Sequence, residues 1–308
     1  MAADDALTPL EPGDLEALVA LGADHGLELS PDTLRTEEIG LDFRVAIATA
    51  ADGTDWVLRI PRRPDVLDRA SVEGRLLSFL RPRLDVAIPD WRIVSDSLIA
   101  YPLLPGVPGL SVGADGAVSW HLDITSPVHA ASLGRTVAQL HAVDPAAAAG
   151  TGIDSRSPAE VRGGWRRDLD RVAAEFEIAP RLRQRWDAWL AEDDLWPQHT
   201  VLTHGELYPG HTLVEDEQIS GIIDWTTATI GDPAKDLMFL QVSAPADAFE
   251  VAVQAYEAAG GTTWPRLAEH CAEMFSAGPI AYGLFALQTG EPAHREAASA
   301  ALNPPADQ

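Results

Sequence analysis

His204-Gly205-Glu206-Leu207-Tyr208-Pro209-Gly210-His211, continued by Ile222-Ile223-Asp224-Trp225 and by Gly231-Asp232-Pro233-Ala234-Lys235-Asp236, is the part of this chain that decides its fold. Between its first two pieces, Thr212-Leu213-Val214 and Ile219 to Trp225 have strand composition and flank Glu215-Asp216-Glu217, which spells a hairpin. With the turn near Glu217, His211 lies six residues before it and Asp224 seven after it, so both reach the open end and face each other across the ladder. A histidine and a carboxylate placed there can share a divalent cation, and Glu206 is five residues upstream in the entering loop. Phosphoryl transfer asks for little more: a carboxylate near the accepting hydroxyl, metal on the phosphates and a basic residue.

Each piece also has an ordinary reading. His204 before Gly205 can be a loop histidine bonded to backbone, Glu206 a solvated acid and Asp224 the end of a strand. Asp232 before Pro233 is good turn chemistry without any function. As an ordered set at these spacings, the ordinary readings no longer suffice.

Upstream the pattern is different. A helix is expected from an N-cap at Asp14 to about Gly26, with Leu15, Leu18, Val19 and Leu21 on its apolar side. Residues 43–49 and 56–60 read as a hairpin around Ala51-Asp52-Gly53, and 66–80 as a helix with Val72, Leu76, Phe79 and Leu80 on one broad face. Residues 91–94 and 98–101 read as a second hairpin. The Pro- and Gly-rich stretch 102–116 marks a boundary, beyond which the spacing of Leu133, Val137, Leu140, His141 and of Leu182, Trp186, Trp189, Leu190 is helical. The expectation is an α+β chain in two lobes: 1–104, small and β-rich, and 105–308, mainly helical.

Composition narrows the chemistry. A hydrophobic fraction of 46% and a charged fraction of 22% are those of a globular protein. A net charge of −25 disfavours nucleic acid and anionic membrane as partners. The acidic first twenty residues do not form a secretory signal, and the single cysteine, Cys271, suits a reducing compartment, so a cytoplasmic location is expected. Of the 22 basic residues only Lys235 is a lysine, and no G-x-x-x-x-G-K-[ST] loop is present. If a nucleotide binds, an arginine must hold its phosphates.

The ordered set His204-Gly205-Glu206, His211, Ile223-Asp224-Trp225 and Gly231-Asp232-Pro233-x-x-Asp236 resembles the antibiotic and choline-type kinases related to aminoglycoside phosphotransferases. Their pattern runs H-G-D-x-x-x-x-N/H, I-D-W and G-D-P-x-x-D. A narrower resemblance, to macrolide 2′-phosphotransferases, is carried by residues 39–44, 56–63, 256–261 and 264–267. Matches extend from about residue 39 to 290.

The resemblance implies a bilobal protein-kinase-like fold that uses GTP, with ATP as the alternative donor, and Mg²⁺. Arg59 would hold the α- and β-phosphates and Glu73 would orient it; the connector Ile99, Ala100, Tyr101 and Leu103 would meet the base, with Gly40 and Asp42 also in the nucleotide site. Glu206 would be the catalytic carboxylate, His211 and Asp224 the metal ligands, and His204, Asp232 and Asp236 supports of the loop. Tyr208, Pro209, Phe275, Pro279 and Tyr282 would line the acceptor pocket. The expected acceptor is a small molecule, the amino sugar of a macrolide, with no obligate protein partner; an aminoglycoside or another small-molecule hydroxyl is the rival. One position departs from the pattern: Glu206 stands where the family has Asp. The extra methylene moves the carboxylate by roughly a bond length, and misplacement on the order of 1 Å can cost about 10²-fold in rate. A catalytically impaired nucleotide- or drug-binding protein is therefore the rival from another class.

Overall fold

The protein is described by a computed structural model covering residues 12–37, 42–63, 66–113 and 116–305; Gly40 lies outside the described residues. Elements are numbered in chain order. Helix α1 (Pro12–Asp24) precedes strands β1 (Arg35–Glu37), β2 (Phe43–Thr49) and β3 (Asp55–Pro61), helix α2 (Val66–Leu80), and strands β4 (Ile93–Val94) and β5 (Ile99–Pro102). The five strands form one antiparallel sheet in the order β1-β2-β3-β5-β4. Asp14 lies inside the first turn of α1 and is not its cap. Where the 43–61 hairpin reverses, Gly53 takes a φ of +85°, and the Thr54 amide donates to Asp52 Oδ1, an Asx-type turn.

Side-chain alternation gives the sheet two faces. Ala46, Ala48, Leu58, Leu98 and Ala100 pack with Leu18, Leu27 and Leu29 on the α1 side. Phe43 and Ile99 pack with Val66 and Ala70 of α2 on the other. Arg59 has the parity of Ile99, its register partner, so it is directed at α2.

Helix α2 also reaches beyond its own lobe. Leu76, Leu77 and Leu80, with Leu84 and Ile88 after them, are buried in the large core of the helical part. Arg75 Nε donates to the carbonyl of Thr151 at 2.7 Å, and Ala87 exchanges backbone hydrogen bonds with Ser220 and Ile222.

After Pro102 the chain enters β6 (Val107–Pro108), then β7 (Leu110–Val112) and β8 (Val118–Trp120). These strands were not legible in the Pro- and Gly-rich composition of 102–116. They are short, and β6 exists only because it pairs with a strand a hundred residues away. Helices α3 (Pro127–His141), α4 (Pro145–Ala149), α5 (Pro158–Ala173) and α6 (Pro180–Ala191) follow. Ser126 caps α3, and Ser157 with Glu160 forms a capping box on α5, each with proline at the first helical position. Strands β9 (Val201–Thr203), β10 (Thr212–Glu215), β11 (Gln218–Ile222) and β12 (Thr229–Gly231) and a 3₁₀ turn over Pro233–Asp236 make the central layer. Helices α7 (Met238–Ser243), α8 (Ala246–Ala258), α9 (Leu267–Ser276), α10 (Gly278–Thr289) and α11 (Pro292–Leu302) close the lobe. Among the described residues, no helix is long and apolar enough to cross a membrane.

Candidate active site

The β10–β11 hairpin is tighter than its sequence suggests. Glu215 and Gln218 are paired, leaving a two-residue turn in which Asp216 and Glu217 take φ of +47° and +63°. The ladder shifts register after Leu213, and the last pair is Thr212 opposite Ile222. His211 therefore stands opposite Ile223, whose amide donates to the His211 carbonyl at 3.0 Å, and β11 ends three residues before Trp225. What brings Asp224 round is its backbone. At φ +60° it lies in the left-handed region, which aspartate tolerates better than most residues, and its Oδ2 comes to 3.6 Å from His211 Nε2.

The tautomer of His211 follows from its other nitrogen. Nδ1 lies 3.0 Å from the Glu206 carbonyl, which can only accept, so Nδ1 carries the hydrogen. With the hydrogen on Nδ1, the neutral form of the ring would present its bare Nε2 lone pair to a carboxylate oxygen. Two acceptors facing each other suit a cation between them. Burial works against the charge of Asp224, but the nearby His211, the Thr226 hydroxyl on Oδ1 and Arg59 together hold its carboxyl below the usual range. No group of three or more His, Cys, Asp or Glu side chains poised around one point exists among the described residues, so a metal here would take its remaining ligands from phosphate and water.

His204 ties the two halves of the site. Its Nδ1 accepts from the Glu206 amide at 3.4 Å, and its Nε2–H donates to the Ile223 carbonyl at 3.0 Å. It is fully buried, and burial pushes its pKa down, so it serves as a neutral strut. Gly205 next to it has φ +88°, and a Cβ there would meet the Thr227 carbonyl oxygen at 2.4 Å; only glycine fits. Glu206 itself is exposed at the cleft.

Beneath the loop, Asp236 accepts three hydrogen bonds: from the Gly205 amide on Oδ1, and from the His204 amide and His141 Nε2 on Oδ2. Burial opposes its charge, but these donors keep its carboxyl below the usual range. His141 is held in turn by the Tyr256 hydroxyl at 2.8 Å. Asp232 is supported in a parallel way. Its Oδ1 caps the Ala234 amide and its Oδ2 accepts from His270 Nε2–H, whose Nδ1 accepts the Trp189 indole N–H. Sequence reasoning missed His141, Tyr256, His270 and Trp189 as parts of this support. The one available signal was a histidine on the apolar side of a helix, which needs a buried partner but does not say which.

In the other lobe Arg59 Nη1 donates to Glu73 Oε1 at 2.8 Å, with the guanidinium 4.1 Å from the Phe43 ring centroid and 5.4 Å from that of Trp91. Burial works against the arginine's charge, and the Glu73 carboxylate overcomes it. The second Glu73 oxygen, Oε2, is buried with no side-chain or ligand partner. Removing one member of such a pair leaves a buried charge uncompensated. Glu73→Ala is expected to lower unfolding free energy by about 3–5 kcal/mol, checked by urea denaturation.

The connector needs a correction. Ile99, Ala100 and Tyr101 lie inside the β3–β5 ladder, and the Leu103 amide donates to the Asp55 carbonyl at 2.8 Å. The first connector amide without a partner among the described residues is that of Leu104. Tyr101 is buried, which pushes its hydroxyl up to about 12 and keeps it neutral. Asp42 is occupied by Arg63 at 2.7 Å and Arg69 at 3.1 Å.

The acceptor expectations divide. Tyr208 and Pro209 line a void of about 10 Å³ with His129 and Phe239, and the Tyr208 ring lies 4.5 Å from that of His211. Phe275, Pro279 and Tyr282 do not line the larger cavity beside the loop. That cavity, about 160 Å³, lies between Gly231, Asp232 and Lys235 on one side and Val161, Trp165 and Asp168 of α5 on the other, with Ile280, Ala281 and Leu284 from α10. At 100° per residue those three share one face of α10. Tyr282 points to α11 instead, where its hydroxyl meets His294 Nδ1 at 3.1 Å, and Phe275 is exposed on α9.

Known proteins share this chain's fold and sequence. The profile of the phosphotransferase enzyme family matches residues 33–270. The apoenzyme structure of a macrolide 2′-phosphotransferase from Brachybacterium faecium is 71% identical, with a TM-score of 0.93, over 96% of this chain and 100% of that one. A type I macrolide 2′-phosphotransferase structure is 40% identical, with a TM-score of 0.89, over 97% of this chain and 100% of that one. The uncharacterised protein YcbJ of Bacillus subtilis is 35% identical over 94% of this chain and 96% of its own length.

Proposed function

The chain belongs to the phosphotransferase enzyme family and has its kinase-like fold, and on that premise we propose that it transfers the γ-phosphate of GTP to the 2′-hydroxyl of the amino sugar of a macrolide antibiotic. The observation that carries the acceptor is the 71% identity, over the whole length of the other chain, to a protein described as a macrolide 2′-phosphotransferase. The residues support a division of labour. Arg59, fixed by Glu73 and stacked on Phe43, presents its remaining N–H groups to the α- and β-phosphates. The open amide at Leu104 offers the base a donor. Asp224 and His211 hold Mg²⁺, which when bound neutralises phosphate charge. Glu206 orients the acceptor hydroxyl and takes its proton, while Asp236 and His204 keep the loop in place.

The cavity beside the loop is where an apolar acceptor fits, because Val161, Trp165, Ile230, Ile280 and Leu284 line it. Burying about 200 Å² of lactone there contributes on the order of 5 kcal/mol before ordering costs, and an aminoglycoside would gain almost none of it. The experiment is mass spectrometry for an added phosphate after incubation with erythromycin, GTP and Mg²⁺, followed by kcat/KM for erythromycin-like and kanamycin-like drugs side by side. Erythromycin-like drugs are expected to be phosphorylated, with no comparable transfer to kanamycin-like ones. A preference for kanamycin would sink the macrolide assignment and leave the phosphotransferase standing.

A further inference from the structure

Four charged side chains line the cavity beside the catalytic loop: Arg156, Asp168, Asp232 and Lys235. Two of them are engaged. Asp232 accepts from His270 Nε2 at 2.8 Å and from the Ala234 amide at 3.0 Å, and Arg156 lies 3.5 Å from Asp154. Lys235 and Asp168 face each other from the 3₁₀ turn and from α5, and no hydrogen bond or ion pair reaches either from any described residue. Lys235 is half-buried, but its ammonium nitrogen is not sealed from solvent. The wall that carries it is fastened to the loop by contact, because the next residue, Asp236, accepts from the His204 and Gly205 amides. An acceptor that fills this space strips water from the ammonium, and a charge left dry without a partner opposes binding. Apolar surface alone therefore does not fit here, and the molecule must bring an oxygen to the lysine.

We propose that Lys235 is a binding residue that sets acceptor specificity, its ammonium donating a hydrogen bond to an uncharged oxygen of the lactone. The inference rests on the macrolide reading of the acceptor. A lactone's carbonyl and hydroxyl oxygens accept hydrogen bonds without adding charge, so they satisfy the ammonium inside an otherwise largely apolar lining. A molecule with several ammonium groups would instead set like charges against Lys235 and Arg156, with Asp168 the one open carboxylate to offset them. Lysine suits the position for a further reason. Its compact ammonium on a flexible stem can reach a single oxygen, whereas the planar fork of arginine matches carboxylates and phosphates.

Lys235 is the one lysine of the chain, which makes contact with the drug directly readable. An amine-selective reagent modifies Lys235 and the terminal amino group, and peptide mapping separates the two. Saturating erythromycin is expected to slow labelling of Lys235 several-fold and to leave the terminal amine unchanged, while kanamycin at the same concentration slows neither. In turnover, Lys235→Met keeps most of the stem and drops the charge. It is expected to raise KM for erythromycin about tenfold, the worth of a hydrogen bond to a charged group, with kcat within about twofold of the parent. Lys235→Arg should recover part of that loss, and thermal melts of both variants should match the parent. Labelling that erythromycin does not slow, or a parental KM in Lys235→Met, overturns the proposal while the parent's turnover keeps the macrolide reading standing. A parent protein that phosphorylates no macrolide overturns both.

Discussion

Asp224→Ala and Asp224→Asn are both expected to reduce kcat by on the order of 10³-fold or more while leaving a folded protein, because each removes the charge that would hold the metal on the phosphates. The pair of variants separates chemistry from backbone. Asp224 sits at φ +60°, where alanine costs about 1–2 kcal/mol and asparagine is tolerated. Asn also keeps an oxygen for the Thr226 hydroxyl, which now bonds Oδ1 at 2.6 Å. Thermal melts should therefore place Asn close to the parent and Ala slightly below it, with turnover equally lost in both. Near-normal turnover in Asp224→Asn would remove this residue from the metal site. His211→Ala should be milder and partly rescued by raised Mg²⁺, since histidine is the weaker partner for a hard cation.

Glu206→Ala and Glu206→Gln are expected to lose about 10²- to 10⁴-fold in kcat at saturating substrate, the range of a lost general base. Glu206→Asp is expected to keep or raise turnover. The side chain is exposed and its backbone is held independently, the amide by His204 and the carbonyl by His211, so none of the three changes disturbs the loop. Four kcat values decide it. Equal rates for Glu, Gln and Ala would mean that the carboxylate takes no part in proton transfer.

The elements that depend on near neighbours were legible in the sequence. Residues 66–80 form a helix with the limits their spacing predicts, and 43–49 pairs with 55–61 around the Asp52-Gly53 turn. The loop from His204 to His211 and the strand leading to Asp224 were recognisable because the spacing of their residues is set by a short hairpin. Less local features failed. The connector's hydrogen bonds depend on which amides the sheet consumes, and the sheet's register shifted the open donor to Leu104. The apolar residues of 275–285 all read alike, although only the face bearing Ile280, Ala281 and Leu284 meets the cavity.

The chain's own order of residues was enough to determine the β-rich first part, the mainly helical second part and the hairpin that follows the His204–His211 loop, because hydrophobic periodicity and turn chemistry act over a few residues at a time. Packing alone decided what supports that loop. Asp236 meets His141 across 95 residues of chain and Asp232 meets His270 across 38. No local preference encodes such pairs. A buried carboxylate must find donors wherever the folded core supplies them, and which helix supplies them is fixed only when the helices close over the loop.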